Sequence, residues 1–354
     1  MSGQLPPSLD IRPCFRAVFK TMNCAQKRFA NSSFVVLAVL LAALPATLSA
    51  QTDAMSKPAS KMAMSKEVKR PPIVGVAHIG LKTSDMAASR KFYTGILGFQ
   101  EPFSLNNPDG SLMLTYFKVN DHQYIEVFPT LKNPQDDQLS HISFETTDAE
   151  QLRKYLASKG VKVPDKLSPR LDHDLGFDVK DPEGHDVEFM QYVPGSLHEK
   201  AFGKFLPKTR ISNHIIHVGF IVKDRAAEDH FYRDILGFKE FWHGGMTDTE
   251  EDWTDMRVPE GHDWLEFMQH VKNPDDPHSR GVMNHLALGV PNANTAYETL
   301  VKRGLLQYAP KQEKPKIGRD GKWQLNLYDP NFTRAELMEP KPVEKPCCSP
   351  MLPH

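Results

Sequence analysis

Residues 76–99 read VAHIGLKTSDMAASRKFYTGILGF, and the pattern returns at residues 215–238 as IIHVGFIVKDRAAEDHFYRDILGF. His78 and His217 lie 139 residues apart. The same interval relates Asp85 to Asp224, Phe92-Tyr93 to Phe231-Tyr232, and Leu97-Gly98-Phe99 to Leu236-Gly237-Phe238. A self-match of this length means duplication, so one structural unit must be built twice. Each copy sets a histidine on a short apolar strand ahead of an amphipathic helix. Asp85 or Asp224 can cap that helix and Gly98 or Gly237 can end it. The Phe-Tyr pairs fall at helical spacing with Leu97 and Leu236 and read as core.

A second echo lies between the copies. SHISFETTDAEQLRKYLASKG at 140–160 matches NHLALGVPNANTAYETLVKRG at 284–304. The folded part therefore divides into four units, at about 72–133, 139–194, 212–273 and 281–340. Each has the order strand, helix and three more strands. In the second unit the later strands are expected near Val161, Phe177 and 187–192, with the turn Asp181-Pro182-Glu183-Gly184 between the last two.

The flanks read differently. Lys27 and Arg28 precede an apolar run at 34–44 and then small residues up to Ala50, the pattern of a secretory signal peptide. The run is short of the ~20 residues that a membrane span needs. Residues 1–50 are thus expected to be a signal peptide, with 1–21 an upstream extension and Met22 the expected start. The mature chain is expected to be exported, periplasmic or secreted, without a stable membrane anchor. Residues 51–71 are expected to be a disordered linker, 195–211 a linker, and 341–354 a disordered tail. Of the four cysteines, Cys14 and Cys24 lie in the segment to be removed and Cys347 and Cys348 in the tail. Neither a disulfide frame nor thiolate metal ligation is available to the folded part. A formal net charge of −1 gives no electrostatic footprint for nucleic acid. Oligomeric state stays open.

Through His78-Ile-Gly-Leu, Phe92-Tyr93, Leu97-Gly98-Phe99, and Asp181-Pro182-Glu183-Gly184 followed by Glu188, the chain resembles the vicinal oxygen chelate superfamily over nearly all of residues 72–340. That superfamily includes glyoxalase I, bleomycin-resistance proteins, extradiol dioxygenases and some sugar epimerases. The resemblance implies an α+β fold of two domains, 72–194 and 212–340. Each would pair two βαβββ modules into an open, cup-shaped barrel, with a metal held inside by first-strand and last-strand residues.

The positions that the resemblance marks as ligands are all filled. They are His78, Glu126, His141 and Glu188 in the first domain, and His217, Glu266, His285 and Glu336 in the second. A glutamate between Ile125 and Val127, or between Leu265 and Phe267, sits on the strand face opposite its apolar neighbours. If that face lines a cup, the charge must be paired or bound to metal. Two imidazoles and two carboxylates suit a divalent Ni, Co, Zn, Mn or Fe ion, up to two per chain. Glu126, Glu188, Glu266 and Glu336 are also candidate bases. His122 and His262 precede Tyr124-Ile-Glu126 and Trp264-Leu-Glu266 by two residues, and are candidate acid–base groups on the same face.

The expected function is that of an enzyme acting on a small molecule with vicinal oxygens, by proton-transfer chemistry of isomerase or lyase type. Departures from glyoxalase I stand at the slots of its glutathione-binding arginine, here Lys82 and Ile221, and of its asparagine, here Thr130 and His270. The alternative is a non-haem Fe(II) dioxygenase using His217, His285 and Glu336. Against it, Asn326 stands where that group has its tyrosine, and Glu266 adds a fourth ligand. A non-catalytic small-molecule binding protein is the third reading.

Overall fold

The computed structural model describes residues 68–353. The expected signal segment and most of the expected spacer at 51–71 lie outside the described residues. In chain order the first eight strands are β1 (Ile73–Lys82), β2 (Ser104–Asn106), β3 (Leu112–Lys118), β4 (Tyr124–Phe128), β5 (Leu139–Thr146), β6 (Ser168–Pro169), β7 (Leu175–Lys180) and β8 (Asp186–Gln191). The next eight are β9 (Ile215–Ile221), β10 (Lys239–Gly244), β11 (Trp253–Arg257), β12 (Trp264–Met268), β13 (His285–Gly289), β14 (Lys316–Ile317), β15 (Trp323–Tyr328) and β16 (Arg334–Met338).

These strands form two sheets of identical plan, β2-β3-β4-β1-β5-β8-β7-β6 and β10-β11-β12-β9-β13-β16-β15-β14. In the first, β1 runs parallel to β4 and antiparallel to β5, and β5 runs parallel to β8. Each half is a βαβββ module, and the halves meet along their first strands. The α+β fold of paired modules in two curled sheets is therefore as the sequence implied.

Alternation explains how one strand serves two tasks. Ile79 and Leu81 stand beside Ile125 and Val127 of β4, and all four are buried with Phe92, Tyr93 and Leu97 of the module helix. His78 and Gly80 then project from the opposite face. The glycine is required there: a Cβ on Gly80 would collide with the imidazole of His141, and one on Gly219 with that of His285. The His-x-Gly pattern of both first strands is thus a seat for the partner module's histidine.

The repeated helix begins as expected. Asp85 accepts from Ala88 N at 3.0 Å, and Asp224 from Ala227 N at 3.1 Å. It does not continue as a regular α-helix. Met86–Arg90 widens into a π-helical stretch at Lys91–Ile96, and Arg225–Asp229 does the same at His230–Ile235. Gly98 and Gly237 close these helices at φ +81° and +86°, a region that glycine enters without steric cost.

Each helix also leans on the other domain. Tyr93 Oη donates to Asp329 Oδ2 at 3.1 Å, and Tyr232 Oη to Asp181 Oδ2 at 3.4 Å. Phe144 meets Phe238 edge-on at 5.2 Å between ring centroids, and Tyr155 Oη donates to the Ile235 carbonyl at 2.7 Å. One continuous apolar cluster runs through both domains.

Four local expectations are corrected. The second strand of the second module pairs at Ser168–Pro169, not near Val161, which instead packs against the core. Residues 68–71 at the end of the expected disordered spacer are docked: Val68 packs on the core and Arg70 pairs with Glu260 at 2.6 Å. The expected linker at 195–211 carries the helix Leu197–Ala201, whose buried His198 bonds Asp174 at 2.7 Å. The tail expected to be disordered lies along the second sheet. Val343 N donates to the Gly321 carbonyl, Leu352 N to that of Phe241, and Ser349 exchanges bonds with the His243 backbone. These segments find partners because unpaired strand-edge and loop groups await them, which local composition does not report.

Candidate metal centres

In the first cup, β1, β4, β5 and β8 each deliver one candidate ligand. His78 Nε2 lies 2.8 Å from His141 Nε2, 2.7 Å from Glu188 Oε2 and 3.5 Å from Glu126 Oε1. His141 Nε2 lies 3.4 Å from Glu126 Oε2 and 3.6 Å from Glu188 Oε2. His78, Glu126 and Glu188 are buried. Two imidazole nitrogens and two carboxylates thus aim at one point. Arg170 takes the outer oxygen of Glu188 at 2.6 Å and Asp178 at 2.9 Å, which fixes Glu188 with its inner oxygen toward His78. Among the described residues no lysine or arginine pairs with Glu126, whose neighbours are His78, His141 and the Tyr116 hydroxyl.

Electrostatics follow the same geometry. Burial works against a charged His78, but the Glu126 and Glu188 carboxylates outweigh it and raise its pKa. Burial likewise opposes ionisation of Glu126 and Glu188, but the histidines, with Arg170 beside Glu188, hold both below the usual carboxylate range. The charge set is that of a site that welcomes a cation. It fits a divalent ion: the donors are borderline nitrogen and hard oxygen, and they converge within a few ångströms.

The second cup repeats the quartet more loosely. His217 Nε2 is 3.0 Å from His285 Nε2, 3.9 Å from Glu266 and 3.8 Å from Glu336. His285 Nε2 is 3.1 Å from Glu266 and 3.8 Å from Glu336. Arg334, two residues before Glu336 on β16, reaches into this group. Its Nη2 lies 2.7 Å from His285 Nε2 and 3.7 Å from Glu266 Oε2. Burial, with Arg334 and the neighbouring imidazole, lowers His217 well below the ordinary imidazole value, and burial and Arg334 lower His285. Burial and the Glu266 charge push Glu336 up to about 7, whereas His285 and Arg334 overcome burial to bring Glu266 to about 2.

The cavities differ too. The first measures about 200 Å³, walled by Tyr116, Phe128, Arg170 and Asp172 beside the ligands. The second measures about 500 Å³, walled by Trp242, Trp253 and Arg319 and edged by Cys347 of the tail. Cys347 is joined to Cys348. No tyrosine lines the second cavity among the described residues; Asn326 faces Glu336 across the ladder and Tyr328 is exposed.

His122 and His262 join neither quartet. Each sits in the turn before its strand, so the two-residue period that carries Tyr124 and Glu126 does not extend to it. Both line a separate open cleft, where His122 meets Glu145 at 3.0 Å. The candidate acid–base role that their spacing suggested is corrected accordingly. Other residues at the cups are not evident from the sequence: Arg170, Tyr116, Asp172 and His198 at the first and Arg334 at the second. Tyr116 stands across from Glu126 and donates to Asp172 at 3.3 Å. His198 is caged by Phe103, Tyr116, Tyr124 and Tyr192. Only Arg334 carries a legible signal, its i−2 position to Glu336.

A family sequence model described as the Glyoxalase/Bleomycin resistance protein/Dioxygenase superfamily matches residues 75–189 and 214–331. The chain belongs to that superfamily, once in each domain. Among individual proteins it is similar to the glyoxalase I of Saccharomyces cerevisiae, 28% identical over 99 residues, a match spanning 28% of each chain. Among solved structures, the homoprotocatechuate 2,3-dioxygenase of Brevibacterium fuscum in complex with 3,4-dihydroxyphenylacetate aligns with TM-score 0.56 at 17% identity, covering 77% of this chain and 82% of that one. The Mn(II)-bound glyoxalase of Novosphingobium aromaticivorans aligns with TM-score 0.56 at 16% identity, covering 76% and 83%. At such identities these two structures speak to the fold alone.

Proposed function

We infer that this chain is a metal-dependent enzyme that holds a small substrate through two adjacent oxygens in the first cup and moves a proton on it, as an isomerase or lyase. The observation that carries this is the convergence of His78, His141, Glu126 and Glu188 with, among the described residues, only Glu188 paired to an arginine. A divalent ion bound there would act as a Lewis acid on the substrate oxygens. Glu188, held by Arg170, keeps its place as a ligand. Glu126 is free to turn from His78 and His141 toward the substrate and take up the proton. The cavity of about 200 Å³ favours a substrate of few carbons. We also place the mature protein outside the cytoplasm, on the basic, apolar and small-residue pattern of residues 27–50.

The test is solvent-deuterium exchange into α-hydroxycarbonyl compounds by protein loaded with Ni, Co, Zn, Mn or Fe in turn. Exchange that requires metal and is lost in Glu126→Gln supports the reading. Oxygen uptake with catechols under ferrous iron, abolished by His217→Ala, would replace it with the dioxygenase alternative. Binding without turnover under every metal would leave a binding protein.

A further inference from the structure

The turn between β7 and β8 meets the helix of the third module at a buried polar junction. Asp181 Oδ1 accepts from His185 N at 2.8 Å, and Oδ2 lies 2.7 Å from His185 Nδ1. From the other domain, Glu228 is fully buried. Its Oε1 accepts from Glu183 N at 3.1 Å and its Oε2 has no hydrogen-bond partner. One ligand atom from each of Asp181, His185 and Glu228 lies within 4.8 Å of the others. Among the described residues no lysine or arginine side chain pairs with Asp181, Glu183 or Glu228. An unpartnered carboxylate oxygen facing a second carboxylate in a buried junction is costly unless a proton or a cation neutralises it; burial and the Asp181 charge push Glu228 up to about 8 when no cation is there.

The duplication supplies an internal control. At the matching junction, the turn of the fourth module meets the helix of the first. Asp329 and Tyr93 keep the carboxylate–phenol contact. Thr333 stands where His185 would be. Ser89 stands where Glu228 would be, donating to Thr83 Oγ1 at 2.8 Å. The same packing is therefore achieved without any ligand set, so the fold does not require His185 or Glu228.

We propose that Asp181, His185 and Glu228 form a third metal site, for a zinc-like dication, that ties the two domains together. Imidazole nitrogen and carboxylate oxygen are both ordinary zinc donors, and a water would complete four-coordination beside three protein ligands. The imidazole edge is partly exposed and gives the ion a way in. Because the ligands come from both sides of the junction, binding stabilises the docked domains through mass action.

The test uses the full chain with both cups disabled by alanine at His78, His141, His217 and His285, loaded with zinc and desalted. The expected result is one zinc retained per chain and a zinc-dependent rise in Tm, with both lost on adding Glu228→Gln or His185→Gln. No retained zinc in the folded cup-disabled chain overturns the proposal, as does retention that Glu228→Gln leaves unchanged. If that chain does not fold, Glu228→Gln in the otherwise natural protein must lower the zinc content by one and remove the zinc-dependent Tm increment; an unchanged content overturns the proposal. The cup variants report the proposed enzymatic centre separately, so the two readings fail independently.

Discussion

The Nε2 atoms of His78 and His141 face each other 2.8 Å apart, with Glu188 Oε2 at 2.7 Å from the first. Two imidazoles cannot both present protons across that gap, whereas two lone pairs can share a cation. Replacing either histidine by alanine removes a direct ligand. The loss of metal affinity should exceed the ~10–100-fold that removal of an outer-shell partner costs. Arg170→Ala, which frees Glu188 without removing a ligand, should fall within that ~10–100-fold range. Metal titration of the three variants checks the order.

Glu126 and Glu188 should separate by phenotype. Glu126→Gln should keep metal bound in the first cup and lower turnover by about 10²–10⁴, the usual weight of a general base. Glu188→Gln should lose metal first and activity as a consequence. Metal content measured beside turnover distinguishes the two, and equal metal loss in both variants would deny Glu126 its special role.

Gly80 tests the seat without touching a ligand. Gly80→Ala places a methyl group where the His141 ring stands. The imidazole must move, so first-cup metal should be lost while the circular dichroism spectrum is kept. Gly219→Ala should do the same to His285 and the second cup.

Arg334 sits against His285 where an ion would approach. Two like charges at 4 Å cost on the order of 1 kcal/mol in water and more in a protein. Arg334→Leu should therefore raise metal affinity at the second cup by about tenfold or more. Calorimetric titration in a chain carrying His78→Ala, His141→Ala and Glu228→Gln reads that cup alone.

The cups should also differ in acid. His78 has a raised pKa, so in the first cup protons compete with metal from above the ordinary imidazole value downward. His217 and His285 have lowered pKa values and stay neutral to lower pH, so in the second cup the competing proton goes to Glu336, pushed up to about 7. First-cup affinity should therefore fall as an imidazole protonates and second-cup affinity as a carboxylate protonates, each recovering as pH rises. Competition titrations at stepwise pH values on single-cup variants would show it; a second cup whose affinity does not change around pH 7 would contradict these assignments.

Much of the fold and of both quartets is legible in the amino-acid sequence. The interval between His78 and His217 announces the duplication, and matched histidine and glutamate positions announce the ligands. Each of those signals is local: a strand's alternation, a helix cap, a closing glycine. His122 shows the limit of the same logic. It obeys the two-residue spacing to Glu126, but the strand begins at Tyr124, and where a strand begins depends on its partner's register. Asp172 and His198 lie in a loop and in a segment that reads as a linker, and nothing in their own neighbourhoods says that they close under the first cup.

The sequence by itself determined the four modules, because periodicity within a segment dictates which side chains share a face, and its family resemblance marked their pairing and the eight candidate metal positions. Tertiary structure alone decided the rest. It put Arg334 into one of two matching sites, laid the tail along the second sheet, and brought Glu228 of one domain to Asp181 and His185 of the other. Those relations join residues far apart in the chain, and only the packing of one sheet and helix on another brings them together.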